Sequence, residues 1–278
     1  MVLGQGVDFG RRDRRGLGLG GCEAGQSVLY GGGKPSRGSS GTLREENLVN
    51  DPWEEGLRLF EEGHFEQALY FLEDIDPLEV PEAAYYQALC YSQLGKADEA
   101  LRSLDLVIVQ ESNFLKILQA RMIRAFLLTT EKRYPAAEKE LRGMIDEGVE
   151  SVQVFSNYGY VLWATGRGKE GVAWLNRAVT LDPGNANAMN SLGYILAEEG
   201  VFLERALQLC RKALALKPEN PTYLDSLGWV YHRMGQDKVA KFYLEKAMRA
   251  QPDNPDFHQH YQAALQALGE LSAPKRRS

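Results

Sequence analysis

The residues able to do chemistry in this chain are few, and their spacing argues against a catalytic site. Asp225 and His232 fall in "LDSLGWVYHRMGQ" (residues 224–236), seven apart and on one helix face. That spacing separates them by two turns, ~10 Å along the axis. No serine or cysteine nucleophile is placed beside them, so a triad does not assemble. His258 and His260 are two apart; on a helix they diverge and cannot share a metal ion. His64 falls in a turn between two apolar runs. Cys22, Cys90 and Cys210 form neither a metal-ligand spacing nor a disulfide framework. Cys90 and Cys210 lie inside apolar helical patterns, as reduced core thiols do. "GGGKPS" at 31–36 has the look of a phosphate-binding loop, but Val28 stands where its first Gly is required. Pro35 also replaces the Ser or Thr that should follow Lys34. No catalytic, cofactor or metal set emerges, and a non-enzymic role is expected.

Composition narrows the class. The 278 residues are 44% hydrophobic and 25% charged with a net charge of -6, whereas nucleic-acid binding usually shows a basic balance. No stretch approaches the ~20 apolar residues of a membrane span. Residues 1–48 hold 13 glycines and almost no apolar periodicity, so they are expected to form a disordered leader. "RRDRR" at 11–15 lacks the apolar region of an export signal, and "LGGC" at 19–22 lacks the one that precedes a lipidation box. A cytoplasmic location is therefore expected. Envelope association through lipidation at Cys22, or through a differently placed N-terminus, is the alternative.

The elements that must position any site are periodic. Gly56, Ala88, Ala125, Gly159, Gly193 and Gly228 are separated by 32, 37, 34, 34 and 35 residues. A second small-residue series, Ala68, Ala100, Ala137, Gly171, Ala206 and Ala240, follows at 32, 37, 34, 35 and 34. Glycine recurs seven residues after the first series at 63, 95, 166, 200 and 235, with Lys132 in its place in the third unit. Two series sharing one period mark internal repeats. Each unit reads as two amphipathic helices joined by a turn, where Gly serves a left-handed helix end. Breaker clusters such as "LKPENP" and "AQPDNP" separate the units, with Asn220 or Asn254 as cap and Pro221 or Pro255 in the first turn. Six units are expected at about 49–80, 81–114, 115–151, 152–185, 186–220 and 221–254, then a capping helix at 255–269 and a basic tail at 270–278. Tyr261, Leu265 and Leu268 of that helix should cover the exposed core, with Gln259, Gln262 and Gln266 in water.

These residues resemble the tetratricopeptide repeat family. The fifth unit offers Met189, Leu192, Gly193, Leu196, Gly200, Phe202, Ala206, Ala213 and Pro218; the sixth offers Leu224, Leu227, Gly228, Tyr231, Gly235, Ala240, Leu244, Ala247 and Pro252. The fourth matches nearly as well, and the first three are degenerate. Paired phrases such as "NSLGYILAEEG" look like tandem repeats of bacterial proteins. The resemblance implies an all-α, right-handed superhelical solenoid of about six helix-turn-helix repeats. Gly228 would then let the paired helices approach against Ala240 and Ala247.

In that family one stripe of each first helix lines a concave groove that binds partners. Carried over by position, the stripe is Asp225, Trp229 and His232 in the sixth unit, and Asn190, Tyr194 and Ala197 in the fifth. The fourth gives Ser156, Tyr160 and Trp163, and the second gives Tyr85, Leu89 and Ser92. Large aromatics carry much of the energy at interfaces, and Asn amides can hold an extended backbone through paired hydrogen bonds. Family members that clamp a terminal carboxylate use lysine and arginine here, but the corresponding residues are Trp53, Tyr85, Met122, Ser156, Asn190 and Asp225. A partner protein or peptide segment that is neutral, apolar or basic is expected, with no nucleic acid. A structural assembly factor or a subunit of a bacterial envelope machine is the alternative role.

Overall fold

The computed structural model describes residues 51–270. The expected Gly-rich leader with Cys22, and all but the first residue of the expected basic tail, lie outside them. Among the described residues every regular element is an α-helix. Six hairpins follow one another: α1 (Pro52–Glu61) with α2 (Phe65–Leu72), α3 (Pro81–Gln93) with α4 (Ala97–Gln110), and α5 (Phe114–Thr130) with α6 (Tyr134–Asp146). Then come α7 (Val152–Ala164) with α8 (Gly168–Leu181), α9 (Ala186–Glu198) with α10 (Leu203–Leu216), and α11 (Pro221–Arg233) with α12 (Asp237–Ala250). A single helix, α13 (Pro255–Ala267), closes the array against α12 and α11. None of these helices is long and apolar enough to cross a membrane.

Local chemistry sets the helix ends. Asn220 accepts from the Tyr223 N–H at 3.1 Å, and Asn254 accepts from the N–H groups of Asp256 and Phe257. Asp51 caps α1 in the same way through the Trp53 N–H. The hairpin turns each need one left-handed residue, and Gly63, Gly95, Gly166, Gly200 and Gly235 supply it at φ between +68° and +83°. Lys132 occupies that conformation in the third hairpin at φ +57°, against the steric preference of its Cβ. Phe202 is also left-handed, at φ +51°. It absorbs the one extra residue between Gly200 and Ala206, and its ring is exposed instead of packing in the second helix.

Each hairpin is held at close range by the first-helix glycines. A Cβ on Gly228 would stand 2.6 Å from Leu244 Cγ and 3.1 Å from the Leu244 backbone nitrogen. Ala240 and Ala247, both fully buried, were the expected neighbours. The actual one is Leu244, a turn beyond Ala240, because side chains of α12 reach back along their helix. The relation recurs: Gly56 meets Leu72, Gly159 meets Leu175 and Gly193 meets Cys210 Sγ at 2.5 Å.

Hairpins then stack through their first helices. α5, α7, α9, α11 and α13 touch in succession, as do α1 and α3, whereas second helices touch the first helix of the following unit instead of one another. Spacing that is tighter on one side than the other curves the array and makes the first helices its inner wall. The third unit departs from the pattern. α5 has 17 residues against 13 in α3 and α7, about one extra turn, which accounts for the interval of 37 before Ala125. α13 is rotated from the expected register: Phe257, His260 and Ala264 face inward, while Tyr261, Leu265 and Leu268 are half-buried. The rotation is roughly one residue, or ~100°.

Two substitutions test this packing. Gly228→Ala has no room at Leu244 and is expected to destabilise the array by ~1–3 kcal/mol through overpacking. Lys132→Gly relieves a left-handed side chain and is expected to raise stability by ~0.5–1 kcal/mol. Urea midpoints followed by far-UV circular dichroism measure both; a neutral Gly228→Ala contradicts the close approach.

Candidate groove on the first helices

The stripe on the inner wall comes from four successive first helices. Ser156, Asn190 and Asp225 stand at intervals of 34 and 35, and the next step of 35 reaches His260 in α13. Ordinary helix continuation therefore brings one polar side chain per helix to the same register.

Rings run beside that polar line. Trp163 packs between Tyr160 of α7, at 5.4 Å, and Tyr194 of α9, at 6.1 Å. Tyr194 lies 6.1 Å from the His260 imidazole, and His260 stacks on Trp229 at 4.2 Å with 23° between planes. Trp229 also meets His232 at 4.9 Å. Six rings from four helices thus form one continuous ladder.

Burial corrects the expectation of an open surface for half of the stripe. Asn190 is 1% exposed, Asp225 3% and Tyr194 9%, and Ser156 and Leu89 are buried too. The cause is the tight stacking of α7, α9, α11 and α13, which brings the fifth position of one first helix against its neighbour. Tyr85, Tyr160, Trp163, Trp229 and His232 stay half-buried. Tyr85 and Leu89 pack with the core of the second to fourth hairpins, apart from the cluster holding Tyr194 and Trp229. They do not join the ladder.

The polar atoms inside this wall are incompletely satisfied. His260 Nδ1 lies 2.8 Å from Asp225 Oδ2; an ionised carboxylate only accepts, so the imidazole donates. Asp225 Oδ1, both amide atoms of Asn190, the Ser156 hydroxyl, the Ser226 hydroxyl and the Trp229 indole N–H are buried and without partners. Buried polar groups are almost always paired, so each exception calls for a reason. Burial, then the charges of Glu198 and Asp225, push the Tyr194 phenol well above its ordinary range. Burial and the neighbouring Tyr134 push Tyr160 the same way.

Asp225 and His232, considered together above, belong to separate pairs. His232 Nδ1 meets Asp237 Oδ1 at 2.6 Å, across the turn into α12. Burial pushes the Cys90 thiol up to about 12 and raises Cys210 as well, so neither supplies thiolate at neutral pH. Among the described residues no group of three His, Cys, Asp or Glu side chains could hold a metal ion. The residue that motif reading missed is His260. The repeat interval, carried one step past the last full unit, points to it.

Comparison with known proteins agrees with the architecture. Family models described as tetratricopeptide repeat match residues 127–186 and 221–254. A Pseudomonas aeruginosa protein named TPR repeat-containing protein PA4667 is 29% identical over 164 residues, which is 58% of this chain and 27% of that protein. The chain thus spans about a quarter of that relative's length. Among solved structures, the APC/C hetero-tetramer Cut9–Hcn1 aligns over 77% of this chain and 42% of its own, with TM-score 0.64 and 13% identity. YrrB, described as a TPR protein with an unusual peptide-binding site, aligns over 74% of this chain and 97% of its own, with TM-score 0.45 and 23% identity.

The His260–Asp225 pair gives a stability test. His260→Ala leaves a buried carboxylate without its donor and is expected to cost about 3 kcal/mol. Adding Asp225→Asn removes the charge and should recover ~1–2 kcal/mol of that loss. Urea unfolding monitored by tryptophan fluorescence reads both, and equal stability of the single and double variants contradicts the pairing.

Proposed function

Since the chain belongs to the tetratricopeptide-repeat family, we propose that it is a non-catalytic adaptor holding a partner protein's segment along the wall formed by α7, α9 and α11. The observation carrying this reading is the coincidence of two features on one stripe. A ladder of aromatic rings runs beside a line of buried polar side chains in which the Asn190 amide, the Ser156 hydroxyl, the Trp229 indole N–H and one oxygen of Asp225 have no partner within the chain. Rings offer rigid apolar area at small entropic cost, and such residues dominate binding energies. An extended segment lying on the stripe would cover the half-buried faces of Tyr160, Trp163 and Trp229 and displace water from them.

Asp225 disfavours an acidic segment, so a neutral, apolar or basic one fits. The adaptor recruits or positions its partner without changing it chemically, and the cytoplasm is its proposed place of action. An assembly role uses other faces. Tyr70, Val109 and Phe242, on second helices, are 71%, 82% and 53% exposed, and they offer apolar contacts away from the stripe.

Photo-crosslinking separates the two roles. With p-benzoylphenylalanine in place of Trp163 or Tyr160, irradiation in cells is expected to give a discrete protein adduct. The same group at Val109 or Phe242 should give none. Adducts arising only from the second-helix positions would favour the assembly role and reject the groove.

A further inference from the structure

We propose that the first two hairpins carry a second recognition surface, an acidic aromatic face on α1 and α3 that takes an arginine-rich segment of a partner protein. It stands independently of the wall formed by α7, α9 and α11. Charge is concentrated here. Residues 51–80 hold ten acidic side chains and one basic one, Arg58, so these 30 residues carry -9 while the whole chain carries -6. Arg58 is already engaged by Glu55 and Glu62 of its own segment. Glu54 and Glu61, seven apart on α1, are exposed and form no ion pair among the described residues. Burial, then the charges of Glu61 and Glu82, raise the Tyr86 phenol above its ordinary range, which sets both carboxylates near that ring. Lys116 matches Glu82; Glu61 has no such match.

Rings stand among these carboxylates. Tyr86 lies 5.6 Å from Trp53, 5.2 Å from Phe60 and 5.7 Å from Tyr85, each edge to face. All four are only half-buried, so solvent and a partner can reach them. Trp53 and Tyr85 hold the register that is sealed at Ser156, Asn190 and Asp225. The run of stacked first helices is interrupted between α3 and α5, where α5 carries its additional turn, and no first helix precedes α1 among the described residues. The register is therefore open at this end. Carboxylates alone would serve any cation, but rings beside them favour a flat one. A guanidinium stacks on an aromatic face while its N–H groups reach a carboxylate, whereas an ammonium is a compact, strongly hydrated charge. The local field steers a basic segment toward the face and repels an acidic one.

Fluorescence anisotropy of fluorescein-labelled nona-arginine and nona-lysine, titrated with the purified full chain at about 0.1 M salt, provides the test. Nona-arginine is expected to bind about threefold or more tighter than nona-lysine. Glu54→Gln with Glu61→Gln should weaken nona-arginine about tenfold. Glu66→Gln with Asp74→Asn, which removes the same charge from exposed positions on and just after α2, should weaken it about twofold or less. Trp53→Leu should erase the preference for arginine and leave the helical circular dichroism unchanged. No binding, equal affinity for the two peptides, or equal losses from the two carboxylate pairs overturns the proposal, the last two by reducing the surface to diffuse charge. Binding that appears only after Arg11, Arg12, Arg14 and Arg15 are changed to glutamine assigns the face to the chain's own leader and overturns it too. So does self-association in sedimentation that Glu54→Gln with Glu61→Gln reverses, which makes a second copy the occupant. Should Trp53→Leu unfold, the ratio of the two peptides on the native chain decides.

Discussion

The whole arrangement depends on how closely two helices of a hairpin can approach. A side chain at Gly159, Gly193 or Gly228 would meet the partner helix at under 3 Å, so hydrogen is the substituent that fits. Gly in a helix interior costs ~1 kcal/mol relative to Ala, and packing offsets that cost. Leu175 and Leu244, fully buried over these glycines, gain contact on all sides. With the hairpins thin, first helices of successive units come into contact while second helices stay apart. Curvature follows from that inequality, and the inner wall follows from the curvature.

Stacking of first helices has a second consequence, which concerns chemistry. It lines up one polar position per unit, Ser156, Asn190, Asp225 and His260, and takes those side chains out of water. A fold assembled for stability alone would fill such positions with apolar residues, since unpaired buried polar groups are costly. Here the polar groups are retained, and two of them, Asp225 and His260, are ionisable.

Much of the fold was legible in the residues. The small-residue series and turn glycines carry backbone information that tolerates little substitution, so the hairpins and their left-handed turns could be read directly. Packing partners were harder to read. Leu244 replaces Ala240 and Ala247 beside Gly228, and α13 turns Phe257 and His260 inward in place of Tyr261 and Leu265. Both differences arise from side-chain direction, which the spacing of residues along a helix does not encode. The stripe's positions were also legible, but its burial was not, because burial depends on the distance between units. The pairing of His260 with Asp225 joins residues 35 apart, a contact that only the stacked array creates.

Hydrogen–deuterium exchange on the full chain, with and without a bound partner segment, addresses the inner wall most directly. Slowed exchange is predicted in α7, α9 and α11, at residues 152–164, 186–198 and 221–233, with α8, α10 and α12 unchanged. Protection confined to those second helices would contradict the account.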